Sequence, residues 1–227
     1  MSAGSCPQPT LILASGSPRR RELLALLGLP FVVRPSDVVE SNHAGEGPAE
    51  MAQRLSQLKA RAALSHTRSG WVVAADTLVH LEGHVLGKPA GPAEAVQMLR
   101  RLRGRPHVVF SGITVLEAGS GAEHTLLAET TVWMRDYGED EIAAYVASGD
   151  PLDKAGAYAI QHEALSPVAR VGGCYANVMG LPLCHLYGLL YQVGQAPAQT
   201  PVAACDRFNR RTCDVATQIL DAVCRGG

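Results

Sequence analysis

Neither sign of charge is in excess in this 227-residue chain: 20 Lys and Arg stand against 21 Asp and Glu, a formal charge of −1. Aromatic residues are also scarce, at 5%. A nucleic-acid binder usually carries a basic surplus and stacking aromatics, so no nucleic-acid partner is expected, and any anion site must be local. No apolar run approaches the roughly 18 residues of a membrane span, and no charged segment precedes the short apolar run near the N-terminus. The expectation is a soluble, cytoplasmic protein with no membrane partner. Cys6, Cys174, Cys184, Cys205, Cys213 and Cys224 form no C-x-x-C pair and have no His at zinc-type spacing, so neither a metal knuckle nor a redox motif is expected. Most read as inert thiols; a disulfide among the last three has no support in the spacing.

Several catalytic signatures are missing too. The segment "GHVLGKP" is one residue short of the phosphate-binding-loop spacing and has Pro where Ser or Thr belongs. There is no G-x-G-x-x-G after a strand, no Glu-rich Nudix-type helix, and no G-x-S-x-G elbow. The eight histidines make no H-E-x-x-H, and the one i, i+4 spacing, His80 and His84, falls across an expected hairpin turn and not on a helix.

What is present alternates strand and helix signals, which points to an α/β or α+β fold. The length allows one large domain or two lobes sharing a cleft. In "LILASGSPRRRELLALLGLP" a short strand runs into a helix with Ser17 as N-cap, Pro18 at its first position and Gly28 just past its end. A short run, "FVV", and an acidic loop follow. Residues 48 to 66 are expected to form an amphipathic helix with Met51, Leu55, Leu58 and Ala62 inward, and Lys59 then lies roughly 70° from the stripe centre, at the edge of the buried face. A hairpin is expected over 71 to 88 with Glu82-Gly83 as its turn, then a helix at 92 to 103, paired strands at 107 to 117 and 124 to 134, and helices near 139 to 148 and 180 to 192. Residues 194 to 202, "GQAPAQTPV", read as a linker, and Phe208, Val215, Ile219 and Val223 as one further helix.

Two features invite a chemical reading. Arg19, Arg20 and Arg21 occupy the first turn of the first helix, the positive end of its dipole, where a cation is disfavoured by roughly 0.3–1 kcal/mol. They are either a solvated basic turn offset by Glu22 or part of an anion site with the free backbone N–H groups, suited to phosphate. Asp76 interrupts a buried apolar strand, which requires a partner, a metal or a function. If the hairpin turns at Glu82-Gly83, residues whose numbers sum to 165 face each other. Lys88 then opposes Thr77, on the other face from Asp76, unless the chain leaves the sheet at Gly87-Lys88 before Pro89. Glu40, Glu46 and Glu50 near the second helix, Asp153-Lys154 in "LDKAGAY" and Gln161 each remain open between site and surface.

Taken together, "LILASGSPRRRELL", a Glu in the next loop, "LSQLKARA", "AADTLV", "LGKP", "QMLRRLRGRPHVVFSGI", "PLDKAGAYAIQ" and "NVMGLPL" resemble, in order, the Maf family of nucleoside triphosphate pyrophosphatases. The resemblance spans about Leu11 to Gln192 and implies a mixed α/β fold of Maf/ITPase-like type: a bent central sheet flanked by helices, with two lobes and a cleft. It implies residues 8–193 as the catalytic domain, 194–227 as a linker and helical extension, and a homodimer. The implied reaction is hydrolysis of a nucleoside triphosphate between the α and β phosphates with a divalent metal, Mg2+ or Mn2+. By motif, Ser15, Arg19 and Arg20 would hold phosphate, Glu40 and Asp76 metal, and Lys59 and Lys88 developing charge. Asp76 would also be the proton acceptor, and Arg19, Thr77 and Gln161 the specificity positions. S-P-R-R, A-D-T and D-K-A-G-A-Y resemble the subgroup acting on dTTP and UTP, with CTP and modified pyrimidine nucleotides left open. Ala75 and Ala159 stand where the family usually has Gly, and Ser111 where it often has Thr. The alternative is a nucleotide-binding regulator of septum formation with little turnover.

Overall fold

The computed structural model describes residues 11–41, 43–64 and 69–225. Cys6, residues 8–10 of the expected domain, and 65 and 66 of the expected helix lie outside the described residues. Strands β1 (Leu11–Leu13), β2 (Phe31–Val33), β3 (Trp71–Leu81), β4 (His84–Leu86), β5 (Pro106–Glu117), β6 (Glu123–Met134) and β7 (Val168–Gly173) form one mixed sheet in the order β2-β1-β3-β5-β6-β7. β1 runs parallel to β2 and β3, and the remaining pairs are antiparallel. Helices α1 (Pro18–Ala25), α2 (Pro48–Leu64), α3 (Pro92–Leu102), α4 (Glu139–Ala147), α5 (Tyr175–Val178), α6 (Leu183–Gln192), α7 (Val202–Asn209) and α8 (Ala216–Arg225) flank it.

The period of two along β3 divides the core. Val72, Ala74 and Leu78 pack toward α2, while Val73, Ala75 and Val79 join the larger cluster built with α1, α3 and α6. α2 lies very close to the sheet. Its buried face is Met51, Ala52, Leu55, Ser56, Ala60 and Ala63, mostly small residues. A Cβ on Gly112 of β5 would sit 2.2 Å from the Ala52 carbonyl oxygen. Ser56 and Thr114 hydroxyls meet at 2.8 Å and fix the register of helix on sheet. The expected stripe is therefore corrected: Leu58 and Ala62 are only half-buried, and the true face is centred within roughly 20° of Lys59. Lys59 points at the sheet, not along its edge.

The edge of β3 facing β1 carries the other decisive feature. β1 pairs with Trp71–Val73 and β4 with Val79–Leu81, so Ala74–Leu78 have no strand partner on that side, while β5 covers the other edge throughout. The β3–β4 register has the expected sum of 165, but the ladder ends at Val79↔Leu86. The chain then leaves the sheet, and the Gly87 carbonyl accepts a bond from Gly156 N at 3.0 Å.

Two elements depart from expectation. β7, in "VARVGG", was not anticipated; it adds an outer strand on which Arg170 stacks 3.4 Å over the Trp133 ring. The tail holds two helices, not one, because Arg210 in the left-handed region (φ 52) ends α7. α8 then lies on α6, with Val223 filling the space a side chain at Gly188 would need.

Within the core, His107 is 3% exposed, with its ring nitrogen Nε2 2.7 Å from the Tyr158 hydroxyl. Burial pushes its pKa from 6.5 down to about 4. The unfolded chain takes up this proton near pH 6.5 and the native one only near 4. Stability from this residue is therefore whole above 6.5 and falls as the pH drops toward 4, by about 2 kcal/mol at pH 5. Urea titrations at pH 7 and pH 5 should show a smaller acid loss in His107→Gln than in the wild type; equal losses would refute the assignment.

Candidate active site

The gap in the β3 edge opens into a cleft with about 1590 Å3 of free space, open solvent included. Its cavity volume proper, about 480 Å3, lies within the roughly 300–1,000 Å3 of ordinary small-ligand sites. Every expected site residue lines it: Ser15, Arg19, Arg20, Glu40, Lys59, Asp76, Thr77, Lys88 and Gln161. β1 and the α1 N-terminus form one wall, β3 the floor, and the segments after β4 and before β7 the opposite side.

The two faces of β3 do different work. On the α2 face Asp76, 4% exposed, is ion-paired through Oδ1 with Lys59 Nζ. The same ammonium lies 2.6 Å from Glu40 Oε1. Asp76 Oδ2 is buried without a hydrogen-bond partner among the described residues. Burial raises the Glu40 carboxyl pKa, but the Lys59 hydrogen bond and the charges of Lys59, Lys88 and Arg20 outweigh it and hold the group below its ordinary value. The other two candidate glutamates are engaged elsewhere: Glu46 pairs with Arg54, and Glu50 accepts a bond from Gly47 N at 3.0 Å.

On the opposite face Thr77 Oγ1 meets Ser111 Oγ at 2.8 Å and accepts from Arg20 Nη2 at 3.1 Å. Arg20 also donates from Nε to the Gly180 carbonyl at 2.8 Å and from Nη1 to Ser15 Oγ at 3.4 Å. Desolvation lowers its pKa, yet a guanidinium stays charged in water-accessible protein. Two of its five N–H groups remain for a ligand. The acceptor Gly180 is delivered by Asn177, buried, whose amide donates to the Val109 carbonyl at 3.1 Å and Thr130 Oγ1 at 3.0 Å. Ser17 caps α1 through the Arg20 amide; Pro18 has no N–H and Ser17 N donates to Ser15 Oγ at 3.2 Å, which leaves the Arg19 N–H as the spare donor of the first turn among the described residues. Arg19 has no ion-pair partner among the described residues.

Asp153 and Lys154, left open by the sequence, form part of the cleft wall. Lys154, 6% exposed, lies 2.9 Å from Asp150 Oδ1 and 2.7 Å from Asp153 Oδ1, and Asp150 Oδ2 accepts from the Tyr145 hydroxyl at 2.7 Å. That network braces the turn from which exposed Gln161 reaches the cleft. Its only sequence signal was a Lys between Asp and a glycine turn, indistinguishable from a surface loop. Lys88 is exposed at the mouth.

The donor set suits a hard divalent cation. Two carboxylates, one of them with an unpartnered buried oxygen, share a single lysine beside a cluster of phosphate-type donors, and Mg2+ characteristically takes one or two carboxylates plus substrate phosphates. Among the described residues no three His, Cys, Asp or Glu side chains form a closed metal cage, and such a cation does not need one.

Residues 10–193 match a family model described as Maf-like protein. The chain is 50% identical over 180 residues to a protein of Moorella thermoacetica named dTTP/UTP pyrophosphatase, covering 79% of this chain and 93% of that one. Proteins with the same name from Geobacter metallireducens (44% over 184 residues; 81% and 96% covered) and Nitratidesulfovibrio vulgaris (46% over 195 residues; 86% and 92%) are also similar.

Proposed function

The chain belongs to the Maf-like family, and we propose on that footing that it is a nucleoside triphosphate pyrophosphatase acting on dTTP and UTP. It would hydrolyse the α–β phosphoanhydride to a nucleoside monophosphate and pyrophosphate. The carrying observation is the trio of Asp76, Lys59 and Glu40 in the sheet gap, with Asp76 Oδ2 unpartnered, facing a cationic wall across a nucleotide-sized cleft.

The geometry is compatible with the roles that the resemblance implies, and these are the roles proposed. Arg19, the spare N–H groups of Arg20, Ser15 and the α1 N-terminus bind the phosphate chain. Glu40 and Asp76 would hold Mg2+ or Mn2+, which supplies charge neutralisation at the phosphates when bound. Asp76 Oδ2 accepts the proton of the attacking water, as a base held in place by Lys59 at its other oxygen. The water oxygen bonds to phosphorus, the α–β bridging oxygen departs with pyrophosphate, and Lys59 and Lys88 offset the charge that develops. Thr77, on the other face and fixed by Ser111 and Arg20, joins Arg19 and Gln161 in choosing the base and sugar.

The catalytic unit is proposed to span 8–193, with 194–227 as an extension, in a cytoplasmic homodimer. The outer strand β2 supports the dimer: its Val32 and Val33 are 42% and 40% exposed on a sheet edge, a surface proteins usually cover. The test incubates the protein with Mg2+ or Mn2+ and a panel of standard and modified nucleoside triphosphates, resolving pyrophosphate from orthophosphate. Pyrophosphate with dTTP and UTP is expected. Orthophosphate alone would overturn the bond assignment, and no product from any nucleotide would replace the enzyme with a binding regulator.

A further inference from the structure

Glu40 stands in the loop between β2 and α2, and its side chain is 54% exposed. An ion pair at so exposed a carboxylate is a weak restraint. A group that is to meet a cation together with buried Asp76 needs its backbone fixed as well, and the fixing comes from a residue outside the cleft.

That residue is Arg54 of α2. Its Nε donates to Glu46 Oε1 at 2.5 Å and its Nη2 to Glu46 Oε2 at 2.6 Å, a two-pronged pairing, and Nη2 also donates to the Ser41 carbonyl at 2.9 Å. One guanidinium thus ties down two points of the loop, and Ser41 is the residue next to Glu40. The far end is fastened to the first turn of α2, where Gly47 N donates to Glu50 Oε2 at 3.0 Å and the Gly47 carbonyl accepts from Met51 N at 2.9 Å. The side chains of Arg54 and Glu46 are 20% and 11% exposed, so the clamp is shielded from solvent where Glu40 is not. Lys59 projects from the same helix, which packs on β5 too closely for a Cβ at Gly112. α2 therefore governs both halves of the arrangement: Lys59 pairs with the two carboxylates, and Arg54 holds the backbone from which Glu40 projects.

We propose that Arg54, anchored by Glu46, is a positioning residue that holds Glu40 in place for the divalent cation; this rests on the reading of Glu40 and Asp76 as the cation's carboxylates. Neither Arg54 nor Glu46 lines the cleft, so the effect on a bound cation passes through Glu40. The charge of Arg54 by itself would act in the opposite sense. It is near enough to Asp76 for the two charges to interact, and a positive charge beside a cation site repels the occupant. Removing that charge without disturbing Glu40 would tighten metal binding, so weaker binding is the signature of lost position.

The test titrates the full chain with Mn2+, reading the free ion by electron paramagnetic resonance, in the presence of saturating α,β-methylene-UTP, whose α–β link resists hydrolysis. Arg54→Ala should weaken Mn2+ binding by roughly tenfold or more, the usual result of removing a group that supports a metal ligand. Arg54→Lys, which keeps the charge and loses the fork, should weaken it too. Affinity for the same nucleotide without metal should match the wild type, because Ser15, Arg19 and Arg20 lie on another wall of the cleft. In the Glu40→Gln background, Arg54→Ala should cost nothing further. Mn2+ binding in Arg54→Ala as tight as in the wild type or tighter, or an equal loss with and without the Glu40 carboxylate, would overturn the clamp and leave the two carboxylates as assigned. Unchanged Mn2+ affinity in Glu40→Gln itself would overturn both. Should Arg54→Ala fail to fold, Glu46→Ala removes the anchor from the loop side without altering α2, and the same comparisons apply to it.

Discussion

Asp76→Asn should fold normally and lose turnover by about a thousandfold or more. The replacement keeps the shape of a side chain that is 4% exposed, and its amide oxygen still accepts from Lys59. What disappears is the basic Oδ2, the oxygen with no protein partner, and with it both a proton acceptor and half of the carboxylate pair for the cation. Steady-state kinetics should place the loss in kcat. KM should change far less, because Arg19, Arg20, Ser15 and the helix terminus still bind the phosphates. Near-normal kcat with an unaltered circular dichroism spectrum would remove Asp76 from the chemistry.

Gly112→Ala has the largest expected effect on stability. The new methyl would lie 2.2 Å from the Ala52 oxygen, 2.5 Å from its carbonyl carbon and 2.7 Å from Gln53 Cα, all backbone atoms that no rotamer change can move aside. α2 would have to lift off the sheet, which breaks the Ser56–Thr114 contact and draws Lys59 away from Asp76. We expect a loss of more than about 3 kcal/mol, or failure to fold, measured by urea titration. Any folded fraction should also turn over slowly. Gly119→Ala is the control: nothing lies within 4 Å of its Cβ position, and its effect should stay within about 0.5 kcal/mol. Equal stability of the two variants would mean that α2 does not approach the sheet as described.

Much of this was legible because local rules agreed. Ser17, Pro18 and Gly28 marked the first helix, and the Glu82-Gly83 turn set the β3–β4 register without tertiary help. The α2 stripe misled because hydrophobicity singles out Leu58, whereas close packing selects Ala52, Ser56 and Ala60, whose small size is what lets them in. β7 escaped notice because an outer strand with Arg170 and two glycines has little apolar alternation; a stacked tryptophan secures it instead. Glu40 shares Lys59 with Asp76 while Glu46 and Glu50 are engaged by Arg54 and the Gly47 amide, a difference in partners that no spacing reveals. The side on which Asp76 finds its lysine was likewise a question for the whole sheet: the cation comes from α2 rather than from Lys88 across the hairpin.

The missing strand pairing beside Ala74–Leu78 has a consequence for how such an enzyme can vary. Because one open stretch of backbone presents Asp76 to one side and Thr77 to the other, neighbouring positions are segregated by parity. On the proposed roles, Thr77 on the odd-numbered face could change to admit a different base while Asp76 on the even-numbered face keeps its proton chemistry. Those proposed roles would make selectivity and reactivity separately heritable in this architecture, divided by the thickness of a single strand.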